Sequence, residues 1–109
     1  MSEDQPIAVV LSTCPTDAAE RLARELVRRR LAACVNVVPR VTSFYWWEGK
    51  LQEDGESLLV IKCSREGIDR LTTDLVEAHP YDVPEVVAFE VVGGNPVYLE
   101  WVRKSSEAP

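Results

Sequence analysis

The stretch from residue 34 to residue 63 constrains the fold most, because its pattern is typical of two long strands paired as a hairpin. Residues 34–47 are rich in β-branched and aromatic side chains, and residues 58–63 form a second apolar run. The segment Glu48-Gly49-Lys50 between the two runs carries a turn signal. The sequence therefore predicts a long hairpin in the middle of the chain.

Two features of this hairpin are irregular. Pro39 cannot donate a backbone hydrogen bond to a neighbouring strand, so it predicts a bulge or bend within the first strand. Asp54 and Gly55 form a second turn signal. Either they make a bulge in the returning strand, or the hairpin turns there instead of at Glu48 and Gly49.

A helix is predicted on each side of the hairpin. Pro15 suits the first turn of a helix, and the apolar residues that follow it recur at helical spacing. These residues are Ala19, Leu22, Ala23, Leu26, Val27 and Leu31. Ser64 can cap a second helix, which Pro80 forces to stop by about His79. Its apolar stripe comprises Ile68, Leu71, Leu75 and Val76.

The remaining segments complete an alternating order of strands and helices. Residues 7–11 predict a first strand buried on both faces, residues 86–92 a fourth strand, and residues 98–102 a short terminal helix. The order βαββαβ with an added helix predicts an α+β, ferredoxin-like fold with an antiparallel sheet. We expect one domain over residues 1–109, with flexible ends at residues 1–5 and 105–109.

The charge balance limits the classes of partner. The chain has 12 basic and 18 acidic residues and a formal net charge of −6, so its average field repels phosphate backbones and anionic membrane surfaces. No apolar run approaches the length of a membrane span, and the first residues lack the regions of a signal peptide. We therefore expect neither a nucleic-acid partner nor a membrane partner.

The cysteines indicate a reducing compartment. Cys14, Cys34 and Cys63 are odd in number and widely spaced, which predicts neither a disulfide framework nor a structural zinc site. We expect a cytoplasmic protein, with Cys34 and Cys63 as small core residues. The sequence contains no phosphate-binding glycine loop, nucleophile elbow or zinc-protease motif, so we predict no catalytic residue and no enzyme activity.

The segment from His79 to Glu85 concentrates groups that bind metals or carry protons. Two prolines fix its path, and His79, Asp82 and Glu85 lie on it. Cys14 lies near the end of the first strand and Glu85 near the start of the fourth, and these strands are neighbours in a ferredoxin-like sheet. The four residues are therefore candidate metal ligands, although His79 and Tyr81 also fit ordinary capping and packing roles.

Aromatic and acidic residues gather along the hairpin. The consecutive residues Phe44, Tyr45, Trp46 and Trp47 must point to both faces of a strand, which favours either local packing or a subunit interface. The acidic residues at the tip fit a solvated edge better than a pair of catalytic carboxylates. They are Glu48, Glu53, Asp54 and Glu56.

Four segments in this order resemble the CutA divalent-cation tolerance family. They are residues 32–39, 42–50, 79–85 and 98–101, and together the likeness spans nearly the whole chain. It implies a cytosolic homotrimer of ferredoxin-like subunits, similar in plan to the PII signalling proteins. It also implies binding of copper or another divalent cation, a part in metal tolerance, and no catalytic reaction.

The resemblance also assigns roles to particular residues. His79 and Glu85 match the suspected metal residues of the family, while a cysteine that some members carry aligns with Ser12, so that Cys14 is displaced along the chain. Tyr45, Trp46, Trp47 and Trp101 are expected at the trimer interface. Tyr81 and Asp82 are expected to line a cleft between subunits.

Two other functions remain open on the sequence alone. A PII-like regulator would bind a small anionic or nucleotide effector in the intersubunit cleft, where Arg40, Lys62 and Arg65 would matter more than the metal residues. An acylphosphatase-like hydrolase would share the fold class, but the chain has no matching phosphate-binding loop.

Overall fold

A computed structural model describes residues 6–107, and the predicted flexible residues 1–5 lie outside this range. Within it, the chain forms four strands and three α-helices. In order they are β1 (Ile7–Cys14), α1 (Thr16–Arg28), β2 (Cys34–Trp47), β3 (Lys50–Ser64), α2 (Ile68–Ala78), β4 (Val87–Glu90) and α3 (Pro96–Ser105), with a single 3-10 turn (Arg65–Gly67) between β3 and α2.

The four strands form one sheet in the order β2-β3-β1-β4, with antiparallel pairing between all neighbours. The central strand β1 pairs with β3 on one side and with β4 on the other. This is the ferredoxin-like arrangement with an added helix, so the predicted α+β fold is confirmed. None of the helices within residues 6–107 has the length and apolar composition needed to cross a bilayer.

The core lies between one face of the sheet and the helices α1 and α2. Alternate residues of β1 and β3, such as Val10 and Ile61, pack against Leu22 of α1 and Leu71 of α2. The prediction that β1 is buried on both faces is wrong for a single chain. Its other residues point to the opposite face of the sheet, which the helices leave partly open.

Most of this open face is apolar. Its apolar residues are Val9, Leu11, Leu58, Val60, Val87 and Phe89, which lie beside one another in the strand register, and Lys62 lies on the same face opposite Val9. The residues on the two central strands are half-buried, whereas those on β4 are exposed. At one end of the sheet, α3 packs against Ile7 and Ala33 through Val102.

The hairpin turns at Glu48 and Gly49, whose φ angles of +50° and +79° match a tight two-residue turn. Asp54 and Gly55 stay in the ladder opposite Ser43 and Thr42, so they form neither the turn nor a bulge. The register shifts between Val38 and Val41, which confirms the bulge predicted at Pro39.

The ends of several elements differ from their predicted positions. The helix α3 begins earlier, because the Asn95 side chain accepts a hydrogen bond from the Val97 N–H at 3.1 Å and caps it. Ser64 does not cap α2 through its side chain; its N–H donates to Ser106 Oγ at 2.9 Å. Ser106 is buried, so the tail predicted from residue 105 is packed at this point, and residues 108–109 lie outside the described range.

The packing of α2 predicts a strong effect of shortening Leu71, which is 0% exposed. We expect Leu71→Ala to lower the free energy of unfolding by about 2–5 kcal/mol, because it leaves a cavity under the sheet. Val76→Ala, at an exposed position of the same helix, should cost less than about 1 kcal/mol. Urea unfolding at one fixed protein concentration measures both values, and equal losses would contradict this account of the core.

Candidate functional site

A cleft of about 720 Å³ opens between the hairpin and the segment that follows α2. We call it the hairpin cleft. Its lining combines aromatic rings with carboxylates and small hydroxyl groups and includes no basic side chain from residues 6–107. The lining residues are Thr13, Ser43, Phe44, Tyr45, Trp47, Glu56, Pro80, Tyr81, Asp82, Val83 and Glu85.

His79 fastens the segment after α2 to the end of β1. Its Nε2 lies 2.9 Å from the carbonyl oxygen of Thr13, and its Nδ1 accepts a hydrogen bond from the Tyr81 N–H at 3.1 Å. These partners require the proton to lie on Nε2, which donates to the carbonyl. With 7% exposure and both ring nitrogens bonded, His79 has no nitrogen free for a metal ion in this arrangement.

Tyr81 connects the same segment to the hairpin. Its ring lies 4.8 Å from the His79 ring, and its hydroxyl donates to Glu56 Oε2 at 2.6 Å. Burial, followed by the hydrogen bond to Glu56, raises the pKa of the Tyr81 hydroxyl. The hydroxyl therefore remains a donor at neutral pH.

The prediction that Glu56 lies at a solvated edge is wrong. The Glu56 side chain is only 5% exposed and lies at the floor of the hairpin cleft. The residue that covers it, Tyr81, lies 25 positions further along the chain, so no local pattern indicates the burial. Its second oxygen, Oε1, accepts no hydrogen bond from any residue between 6 and 107.

Glu85 and Thr13 meet at the edge of the cleft. They lie two residues beyond the Leu11 and Val87 pair of β1 and β4, and Thr13 Oγ1 donates to Glu85 Oε1 at 3.4 Å. The antiparallel pairing of β1 and β4 thus brings Glu85 to the end of β1, where His79 is also bound. Asp82 is exposed at the rim of the cleft.

Cys14 is not exposed to the cleft. It is 0% exposed on the core face of β1, where burial, followed by the charge of Glu56, raises the pKa of its thiol. Cys63 is also buried, and burial raises the pKa of its thiol to about 11. Across the described part of the chain, no three His, Cys, Asp or Glu side chains come together in a group that could hold a metal ion.

The two basic residues predicted for the cleft lie elsewhere in the single chain. Arg40 is exposed in the β2 bulge with a φ of +63°, and Lys62 on β3 donates to Asn36 Oδ1. Neither lines the hairpin cleft. Arg65 forms an ion pair with Glu90, with Nε and Oε2 at 3.7 Å.

The aromatic residues of the hairpin divide between two surroundings. Tyr45 and Trp47 line the cleft, and the Tyr45 hydroxyl donates to Asp54. Trp46 is 72% exposed and lies outside the cleft lining, opposite Leu51 in the ladder. Trp101 on α3 is also exposed and packs beside Tyr98.

The fold and the cleft define a class of small α+β proteins in which a long hairpin and the segment after α2 enclose an acidic, aromatic site. Residues 8–105 match the sequence profile of a family described as CutA1 divalent ion tolerance protein. The chain belongs to this family.

Individual relatives agree in sequence and in structure. A rice protein, CutA 1, chloroplastic, from Oryza sativa subsp. japonica is 49% identical over 102 residues, which cover 93% of this chain and 58% of the rice protein. The divalent-cation tolerance protein CutA of Thermus thermophilus is 44% identical over 99 residues, covering 90% of this chain and 96% of that protein. The solved structure of the PII-like protein CutA from Nostoc sp. PCC 7120 superposes with a TM-score of 0.89 at 36% identity, covering 94% and 99% of the two chains.

The tyrosines predict how stability depends on alkaline pH. The Asp54 hydrogen bond raises the pKa of Tyr45, and burial raises the pKa of Tyr81 and of Tyr98 above the usual 10.0. Below that pH both folded and unfolded chains keep these protons, so this contribution to stability is complete. Above it the unfolded chain loses protons first, and stability falls as the pH rises toward the folded pKa values.

We therefore expect the free energy of unfolding to decrease between about pH 9 and about pH 11. The Tyr81→Phe variant lacks one of the responsible groups and should show a smaller decrease. Urea unfolding across this range, with near-ultraviolet absorbance to follow tyrosinate formation, measures the difference. Identical pH curves for the wild type and the variant would show that Tyr81 does not contribute.

Proposed function

We propose that this protein acts in divalent-cation tolerance as a homotrimer whose hairpin clefts collect cations. The observation that supports this function best is the cleft lining, in which Glu56, Asp82 and Glu85 meet no basic side chain of residues 6–107. Three carboxylates without a local counter-charge attract cations and repel anions. The names of the relatives, which refer to divalent-cation tolerance, agree with this role.

A bound divalent ion would take donors from more than one chain. Within residues 6–107 of one chain there is no three-residue metal group, the nitrogens of His79 are bonded to the backbone, and Cys14 is buried. Among the carboxylates of the cleft, those of Asp82 and Glu85 are exposed, whereas Glu56 is only 5% exposed on the floor. Copper is the cation we propose, since it binds a given set of N and O donors more strongly than the other first-row divalent ions.

The proposed trimer rests on the apolar surface that one chain leaves uncovered. The open face of the sheet and the exposed Trp46 and Trp101 offer aromatic and aliphatic area of the kind that subunit interfaces bury. The Nostoc relative is described as PII-like, which agrees with a shared plan of assembly. In such an assembly the hairpin cleft would lie between two subunits.

We propose the cytoplasm as the location and binding, without catalysis, as the activity. Three free cysteines, two of them buried, suit a reducing compartment. The alternative of an anionic PII-like effector has less support, because Arg40 and Lys62 lie outside the cleft lining of the single chain.

Copper binding can be tested at Glu85 with an isosteric change. We expect Glu85→Gln to weaken Cu(II) binding about tenfold, because the amide keeps the contact to Thr13 but removes the charge. Isothermal titration of the assembled protein measures affinity and stoichiometry. Glu77→Gln, on the exposed side of α2, is the matched control and should change neither.

The same titration on His79→Ala separates two roles for the imidazole. If His79 is a metal ligand, its loss should lower the number of ions bound per trimer. If His79 only positions Tyr81, its loss should leave that number unchanged. Cu(II) binding that is equally strong in the wild type and in Glu85→Gln would contradict the proposed site.

Assembly can be tested at Trp46. We expect the wild type to show three times the 12.2 kDa chain mass in light scattering after size exclusion, and Trp46→Glu to release smaller species. A charge buried without a partner destabilises an interface by several kcal/mol, on the order of 2–5. Val27→Glu, on an exposed position of α1, should keep the wild-type mass, and a monomeric wild type would refute the trimer.

A further inference from the structure

The walls of the hairpin cleft are not explained by metal binding. Phe44, Tyr45, Trp47 and Tyr81 contribute aromatic rings to a cavity of about 720 Å³, a size common for small-molecule sites. Aromatic carbon does not ligate a hydrated divalent ion. The face of an aromatic ring does attract an organic cation, whose charge is spread over an ammonium group and its neighbouring carbons.

The floor of the cleft carries a carboxylate that is only partly satisfied. Glu56 is 5% exposed, and the Tyr81 hydroxyl donates to its Oε2. Its Oε1 accepts no hydrogen bond from the described residues and is not one of their fully buried unpaired atoms, so a group in the cleft can reach it. A buried carboxylate is costly unless a cation or a set of donors completes its bonding. An ammonium group supplies both, because it brings a positive charge and several N–H donors.

The rim of the cleft offers further negative charge. Asp82 and Glu85 are exposed there, and no lysine or arginine among residues 6–107 lines the cavity to neutralise them. A cation with one ammonium group at Glu56 and a second at the rim would match the distribution of charge, with its methylene chain against the aromatic walls. A single small ion would make no contact with those walls.

We propose that the hairpin cleft binds an organic ammonium cation of the linear diamine class, with one ammonium group on Glu56 and the chain between the aromatic rings. This inference rests on the proposed role of the cleft in collecting cations, and it specifies the chemical class of the cation that binds. Glu56 and Trp47 are then the residues that determine specificity.

The test uses three probes of similar length and different charge. Putrescine is the dication, butanediol its neutral counterpart and succinate the dianion. Each is titrated calorimetrically into the assembled, full-length protein in the presence of a chelator that removes metal ions. We expect putrescine to bind at least about tenfold more tightly than butanediol, because charged hydrogen bonds and cation–π contacts contribute only for the ammonium groups. Succinate should not bind.

Variants separate the contributions of charge and ring. Glu56→Gln keeps the acceptor for Tyr81 but removes the charge, so we expect at least about tenfold weaker putrescine binding. Trp47→Leu removes an aromatic face and should weaken binding about threefold or more without affecting butanediol. Glu77→Gln is the control with the same loss of charge outside the cleft. The double variant Asp82→Asn, Glu85→Gln tests whether the charges at the rim contribute to putrescine binding. It also provides a test of the inference if Glu56→Gln does not fold.

The outcomes distinguish this inference from the proposed function. Equal binding of putrescine and butanediol, or putrescine binding that Glu56→Gln and the rim variant leave unchanged, would overturn the inference. So would an absence of putrescine binding, as expected if a basic side chain of a second copy fills the cleft. Cu(II) binding that still depends on Glu85 would in these cases leave the metal role standing, whereas loss of both would remove the cation-collecting role itself.

Discussion

The position of the segment after α2 depends on one interaction, the contact between the His79 imidazole and the carbonyl oxygen of Thr13 at the end of β1. The same ring accepts the Tyr81 N–H, so a single side chain fixes both the strand end and the backbone that leaves the helix. Two prolines restrict the segment further by limiting the conformations of the unfolded chain. The Tyr81 hydroxyl donates a hydrogen bond to Glu56 on β3. The end of α2, the end of β1 and the hairpin therefore come together around the hairpin cleft.

Most of the fold could be predicted from local patterns, because each element carries its own signal. The helical spacing of Leu22 and Leu71, the bulge at Pro39 and the stop at Pro80 depend only on nearby residues, and the structure has each of them. The end of the chain was harder to predict. Ser106 accepts a hydrogen bond from the Ser64 N–H, 42 positions away. A local sequence pattern cannot predict a hydrogen bond between two elements so far apart.

The site could be predicted only in part, for the same reason. Its histidine and the acidic residues after it stand together in the sequence, so the sequence predicts this segment directly. Glu56 was missed because its burial depends on Tyr81 from a distant segment, and acidic residues near a turn are ordinarily solvated. The sequence also does not show whether His79 is free to bind a metal ion. In the structure both ring nitrogens form hydrogen bonds with backbone groups.

The bulge in β2 limits how a strand of another molecule can pair with this edge of the sheet. As the outermost strand of the sheet, β2 presents a row of backbone groups over 14 residues that no strand within residues 6–107 pairs with on its outer side. A flat edge of that length would accept strands of other molecules in many registers and favour open-ended stacking. Pro39 removes one donor and the left-handed turn of the chain at Arg40 bends the edge, so the row is divided into two short stretches. Only a partner strand with a matching bend can pair along both stretches, which favours a closed, stoichiometric assembly over fibre growth.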